Sequence, residues 1–121
     1  MIQIVLPAPP PNTGWGFEEF SLRHGDFAFA SIAAILTAAD GKIREARLGA
    51  AGAGETPLRL RAVEAMLVGE TLTPELTAEA ARLARASVDP PSDLRASADH
   101  RRHLVAALTE RALTAAWARA Q

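Results

Sequence analysis

Midway along the chain the spacing of apolar residues changes from one suited to strands to one suited to helices, and that order permits few folds. Ile2 to Leu6 is a short β-prone run stopped by Pro7, and Pro9 to Gly14 forms a turn-rich extended connector that leads to Trp15 and Phe17. From Phe27 to Ala39 the apolar content is high, with Phe29, Ile32 and Ile35 at β-prone positions. Asp40-Gly41 then reads as a hairpin turn before Lys42 to Leu48, where Ile43, Ala46 and Leu48 alternate imperfectly with polar residues. Beyond Gly54 the pattern is helical. Thr56 can cap a helix with Pro57 at its first position, placing Leu60, Val63 and Leu67 on one face before Gly69. Thr73-Pro74 repeats the signal for a helix to about Ser87 with Leu76, Ala80 and Leu83 inward, and Asp89-Pro-Pro-Ser92 breaks it. A last helix starts near Ser97 and buries Leu104, Val105, Leu108, Ala112, Leu113, Ala116 and Trp117. The expected fold is α+β: a small antiparallel sheet of about three strands, packed on one face by about three helices.

A chain of 121 residues is one domain by length, so residues 1 to 121 are read as a single unit. Alanine supplies much of the apolar share, which leaves the core to Leu, Ile, Val, four Phe and two Trp. With no cysteine the chain cannot hold an iron–sulfur cluster through thiolates or make a disulfide. A net charge of −1 gives no global attraction to phosphate backbones or acidic lipid, so neither nucleic acid nor membrane is an expected partner. The start lacks a basic region and is too short for a signal peptide, and no apolar run approaches a membrane span, so a cytoplasmic location is expected.

Gly49, Gly52 and Gly54 lie between a strand and a helix, where glycine-rich loops can cradle phosphate. The dinucleotide spacing is absent, and Glu55 stands where a P-loop needs lysine, so the stretch reads as a flexible connection. His100 and His103 are close on a helix, but Arg101 and Arg102 beside them disfavour a cation and no metal site is expected. Ser21, His24 and Asp26 lack any recognisable hydrolase context. Arg23-His24-Gly25-Asp26 carries turn chemistry, since Gly tolerates unusual backbone angles and Asp bonds nearby amides. Asp93, Arg95, Asp99, Arg101 and Arg102 surround the start of the last helix, either as a solvated cap or, for Asp93, Arg95, Arg101 and Arg102, as anchors of an interface.

Three segments in this order, Phe20 to Ala28 with its Arg-x-Gly-Asp-Phe-Ala core, Thr56-Pro57-x-Arg59 with Glu64-Ala, and Asp93-x-Arg95-Ala-Ser97 with Arg101-Arg102-His103-Leu104, resemble the C-terminal domain of the flavin-binding medium subunit of molybdenum hydroxylases. This is the carbon monoxide dehydrogenase and xanthine dehydrogenase family. The resemblance implies a small antiparallel sheet packed against helices, and a loop at 23 to 26 lying beside the edge of a flavin. Arg23 and Asp26 would then set the field at the flavin, with His24 and Gly25 as loop context, and the chain itself would have no catalytic residue. FAD would sit on a partner domain or subunit, with molybdopterin and [2Fe–2S] clusters on other subunits. The flavin-binding domains that precede this region in the family are absent here, so the chain alone is not expected to hold FAD tightly. His100 stands where the family usually has tyrosine. The function implied is to pack on the FAD-binding part and shape the flavin edge as electrons pass from iron–sulfur clusters to an acceptor. The alternative is a stand-alone assembly or self-association module derived from that domain.

Overall fold

The hairpin turn at Asp40-Gly41 organises the sheet. Both residues have positive φ, 54° and 74°, as the tightest twist-matched turns between antiparallel strands require. They join β2 (Ala30–Ala39) to β3 (Lys42–Ala51) in the computed structural model, which describes residues 2–121. The register slips between Thr37 and Ala38, which face Glu45 and Ile43, so Arg44 is an extra residue on β3. That bulge explains the broken alternation of this strand: Ile43, Ala46 and Leu48 all point inward although their spacing is three and then two.

β1 (Thr13–Phe20) pairs antiparallel with β2 from Thr13↔Thr37 to Phe20↔Ala30. The sequence reading ended its connector at Gly14 and placed the first strand at Ile2 to Leu6. The structure corrects this: residues 2 to 10 have no regular structure, and Ile2, Ile4, Val5 and Leu6 stand in solvent. Glycine hides β1 from a propensity reading, yet here glycine is a packing requirement. A methyl group on Gly14 or Gly16 would collide with the carbonyls of Ala116 and Ala112 on the last helix, so strand and helix meet backbone to backbone.

A fourth strand, β4 (Leu58–Arg59), pairs with Ala50 and Gly49, completing the order β1-β2-β3-β4. The expected helix from Thr56-Pro57 therefore begins later, as α1 (Arg61–Leu67). The free edge of β3 captures Leu58 and Arg59 first, and Pro57 is tolerated just before a short edge strand. α2 (Pro74–Ala86) has Thr73 as its cap, accepting from the Leu76 amide at 3.1 Å. α3 (Ala98–Ala120) begins at Ser97, which accepts from the His100 amide at 3.1 Å. The faces expected of both helices are the ones buried or half-buried against the core.

The core lies between the sheet and the helices, centred on Ile32, Leu36, Ile43, Leu48, Leu60, Val63, Leu67, Val105 and Leu113. The opposite sheet face is open, with Trp15, Phe17 and Ile35 exposed and Trp15, Ile35 and Arg47 in one cross-strand row. The fold class is α+β, as expected, with four strands and three helices.

Glu64 ties α1 to the sheet. Its carboxylate accepts from the Leu48 amide at 2.9 Å and from Arg59 Nε and Nη2 at 2.7 and 2.9 Å. The Arg59 hydrogen bonds hold the Glu64 carboxyl below the usual range, with the Leu48 amide adding to this and burial opposing it. A depressed folded-state value means the stabilisation is complete above the unfolded glutamate pKa of about 4.3 and disappears as pH falls through the folded value. Glu64→Gln should therefore cost about 1–3 kcal/mol near neutrality and flatten the acid side of a stability-versus-pH curve. Urea titrations between neutral and acidic pH would show it; an unchanged acid limb would remove Glu64 from the account.

Candidate functional site

The site is built where the loop after β1, the start of β2 and the segment before α3 meet. Gly25, with φ +83° and open space around it, allows the turn in which the Asp26 amide donates to the Arg23 carbonyl at 3.1 Å. Ser21 Oγ donates to the same carbonyl at 3.0 Å. Asp26 Oδ1 accepts from the Phe27 amide at 2.8 Å, and its Oδ2 accepts from Arg95 Nη2 at 2.9 Å. That ion pair spans 69 positions of sequence, and no local signal could have announced it.

Arg95 is held in turn by Asp93. Asp93 Oδ1 accepts from the amides of Arg95 and Ala96 at 2.9 and 3.0 Å, and its Oδ2 accepts from Arg101 Nη2 at 3.0 Å. The amides, Ala96 first and then Arg95, hold the Asp93 carboxyl below its ordinary value, with Arg101 adding to the effect. Arg101 reaches inward: it is 7% exposed and its Nη1 donates to the Phe29 carbonyl at 2.6 Å and to the Gly52 carbonyl at 3.4 Å. The guanidinium carbons of Arg95 and Arg101 lie 5.4 and 5.6 Å from the centre of the Phe29 ring. His100 sets its ring edgewise to Phe20 and Phe29, both at 6.4 Å.

The sequence-predicted residues thus fall into distinct places. Asp26, Asp93, Arg95 and Arg101 form one connected chain of hydrogen bonds, while Arg23 and His24 are exposed on the loop. Arg101, expected as an interface anchor, is used inside the chain. Arg102 lies apart, paired with Asp89 and Asp99 at 3.1 Å each. The sequence reading gave Phe29 only a β-prone position; it lies just before β2 and is the ring both arginines stack on, and only the fold brings it there. Gly49 to Ala51 is strand rather than flexible connection, and Gly52, with φ +73°, abuts the Phe29 carbonyl so closely that a Cβ would lie 2.6 Å from it. Among the described residues no group of three or more His, Asp or Glu side chains could hold a metal, and no helix is long and apolar enough to cross a membrane.

Leu22, Phe27 and Leu94 are large and exposed, Phe27 to 83%, and Phe27 and Leu94 adjoin Asp26 and Arg95 in the chain. Apolar surface around a half-exposed ion pair suits a flat ring with a polar edge. The Gly49–Gly52 stretch is not a free loop, because Gly49 and Ala50 pair with the strands on both sides and Gly52 presses on Phe29.

The family model of the CO dehydrogenase flavoprotein C-terminal domain matches residues 15–116. The chain is 37% identical over 116 residues to the caffeine dehydrogenase subunit beta of Pseudomonas sp. (strain CBB1), covering 96% of this chain and 39% of that protein. It is 33% identical over 119 residues to the carbon monoxide dehydrogenase medium chain of Hydrogenophaga pseudoflava, covering 98% of this chain and 42% of that one. The solved structure of carbon monoxide dehydrogenase from Hydrogenophaga pseudoflava superposes with a TM-score of 0.90 at 36% identity, over 94% of this chain and 40% of that chain. Quinoline 2-oxidoreductase from Pseudomonas putida 86 gives 0.84 at 32% identity, over 93% of this chain and 40% of that one. The chain therefore spans about two fifths of the length of these relatives.

Proposed function

The chain belongs to the CO dehydrogenase flavoprotein C-terminal domain family, and on that premise we propose that it works as the C-terminal domain of the flavoprotein subunit of a molybdenum hydroxylase-type oxidoreductase in the cytoplasm. It packs on an FAD-binding part and shapes the edge of the flavin. The observation that carries this reading is the Asp26–Arg95 bridge, with exposed Phe27 and Leu94 next to its two members in the chain, on the loop that the resemblance points to.

Asp26 and Arg95 would face the flavin's polar edge, with Arg23 and His24 adding charge or hydrogen bonds from the same exposed loop. Bound there, FAD would pass electrons from iron–sulfur clusters to an acceptor, with molybdopterin on a further subunit. The protein's contribution is electrostatic and steric: Asp93 fixes Arg95, Arg95 fixes Asp26, and the apolar rim keeps water from the ring. The diphosphate would be held by the FAD-binding part.

Asp26→Ala leaves Arg95 unpaired and changes the local field by one charge. The bridge is half-exposed, so stability should fall by less than about 1 kcal/mol. Flavin reduction in the assembled enzyme should change by about fivefold, the effect of about 1 kcal/mol of screened charge. Stopped-flow reduction of the flavin reads it, and an unchanged rate would sink the electrostatic role.

The second reading, a non-catalytic assembly module, is favoured by the open sheet face carrying Trp15, Phe17 and Ile35. Light scattering separates the two: a colourless self-associated oligomer that ignores flavoproteins would favour the module.

A further inference from the structure

The two edges of the sheet are finished differently. Along β3 the outward main chain is taken up from within the chain: Ile43 exchanges hydrogen bonds with Gly69 and Glu70 at 2.8 Å each, and Leu48 is met by the Leu60 amide and the Glu64 carboxylate at 2.9 Å each. β4 pairs with Gly49 and Ala50 beside them. β1 ends the strand order on the other side. An antiparallel strand turns the amide and carbonyl of each residue either toward its neighbour or away from it, in alternation. The Asn12 carbonyl accepts from Ala38 and the Phe20 carbonyl from Phe29, which sets the even-numbered residues toward β2, whereas the Trp15 carbonyl accepts from Arg119 at 2.6 Å, off the sheet. Trp15, Phe17 and Glu19 therefore present their main chain outward, and among the described residues Arg119 is the one group that meets it. Such an edge is a template for a further strand.

β1 is also complementary to itself. Trp15 and Phe17 are 57% and 53% exposed on the open face of the sheet, while Glu18, on the helix side, lies beside a groove lined by Arg111, Ala115 and Ala118 of α3. We propose that this edge pairs with β1 of a second copy, antiparallel about a two-fold axis at Gly16, so that the two sheets join into one. Directly opposed residues share a face, so Trp15 of each copy meets Phe17 of the other and Glu19 meets Thr13, with no like charges opposed. An axis at Glu18 would set two glutamates against each other. With the axis at Gly16, Glu18 of the second copy stands opposite Gly14, at the level where Arg119 leaves α3. Arg119 then exchanges the neutral Trp15 carbonyl for a carboxylate, a stronger charge-assisted partner, and frees that carbonyl for the incoming strand. α3 packs beneath both β1 and β2, so with strands about 4.8 Å apart the two copies of α3 come to about 10 Å from each other, an ordinary helix packing distance. The contact uses β1 and α3 rather than the loop at 23 to 26, and stands apart from the flavin reading.

Sedimentation velocity and hydrogen exchange of the 121-residue chain, from dilute to concentrated solution, test this. A monomer–dimer equilibrium should appear, and the amides of Trp15, Phe17 and Glu19 should exchange at least about tenfold more slowly in the concentrated sample. Those of Gly14, Gly16 and Glu18, turned toward β2, should be protected equally in both. Glu18→Arg and Arg119→Glu should each weaken the dimer at least about tenfold, and the double variant should recover most of the loss. Phe17→Lys, on the open face and away from the core, should abolish pairing while leaving the melting temperature of the dilute chain unchanged. A chain that stays monomeric up to about 1 mM overturns the proposal. So does a dimer in which the three outward amides exchange freely, which assigns the contact to the open sheet face, or one that both charge variants leave intact. Protection that does not depend on concentration assigns the edge to another segment of the same chain and overturns it too.

Discussion

Gly16→Val should cost the chain about 3 kcal/mol or more of stability, although valine is a far better strand former than glycine. The inner face of β1 at Gly14 and Gly16 lies directly against the α3 backbone, and a Cβ at 16 meets the Ala112 carbonyl and Cα as well as clashing with its oxygen. Backbone cannot yield as a flexible side chain can, so the helix must retreat and part Leu113 and Ala116 from the sheet. Overpacking that a core cannot absorb costs about 3 kcal/mol or more, a large part of the roughly 5–15 kcal/mol that holds a domain folded. Arg119 compounds the loss, because its guanidinium lies 4.0 Å from the Trp15 ring centre and donates to the Trp15 carbonyl at 2.6 Å. Ala33→Val, on the exposed face and paired with Phe17, should shift stability by no more than about 0.5 kcal/mol. Urea denaturation of both variants decides the matter: if Gly16→Val stays within about 1 kcal/mol of wild type, the close approach is not a requirement of the fold.

The second large effect separates two neighbouring arginines. Arg101→Leu keeps an apolar stem but strands the Phe29 and Gly52 carbonyls and removes the buried partner of Asp93. Losing a buried charged donor that serves several acceptors costs about 3 kcal/mol. The Nε of Arg101 is itself buried without a partner, which trims what the wild-type residue contributes. Arg102→Leu breaks two ion pairs whose acids stand almost wholly in solvent and should cost no more than about 0.5 kcal/mol. Hydrogen exchange adds a spatial readout: in Arg101→Leu the amides of Arg95 and Ala96, now bonded to an unanchored Asp93, should lose protection, and in Arg102→Leu they should not. Equal destabilisation by the two changes would show that burial of Arg101 contributes nothing.

What could be read from the chain follows the range of the forces involved. The caps at Thr73 and Ser97, the Asp40-Gly41 turn and the face of α3 are set within a few residues, and the structure has them where the sequence places them. β1 was missed because Gly14 and Gly16 weaken every local strand signal, while their reason lies on a helix nearly a hundred residues away. Leu58 and Arg59 were assigned to a helix because capping is local and the vacancy at the edge of β3 is not. The same division runs through the site. Arg23, His24, Gly25 and Asp26 were singled out, as were Asp93, Arg95 and Arg101, but their union through Asp26–Arg95 and the Phe29 ring belongs to tertiary structure.

The pairing of β1 with α3 also bears on how the protein is made. During synthesis the hairpin of β2 and β3 can form soon after it leaves the ribosome, since its partners are adjacent in the chain. β1 cannot be covered in the same way, because the helix that lies on Gly14 and Gly16 follows every other described element in the chain. Until residues 98 to 120 emerge, the nascent chain carries a sheet whose inner face is uncovered along β1 and β2, a state prone to aggregate and to recruit chaperones. A stop codon within α3 would therefore do more than shorten a helix: it would release a polypeptide unable to close its own core.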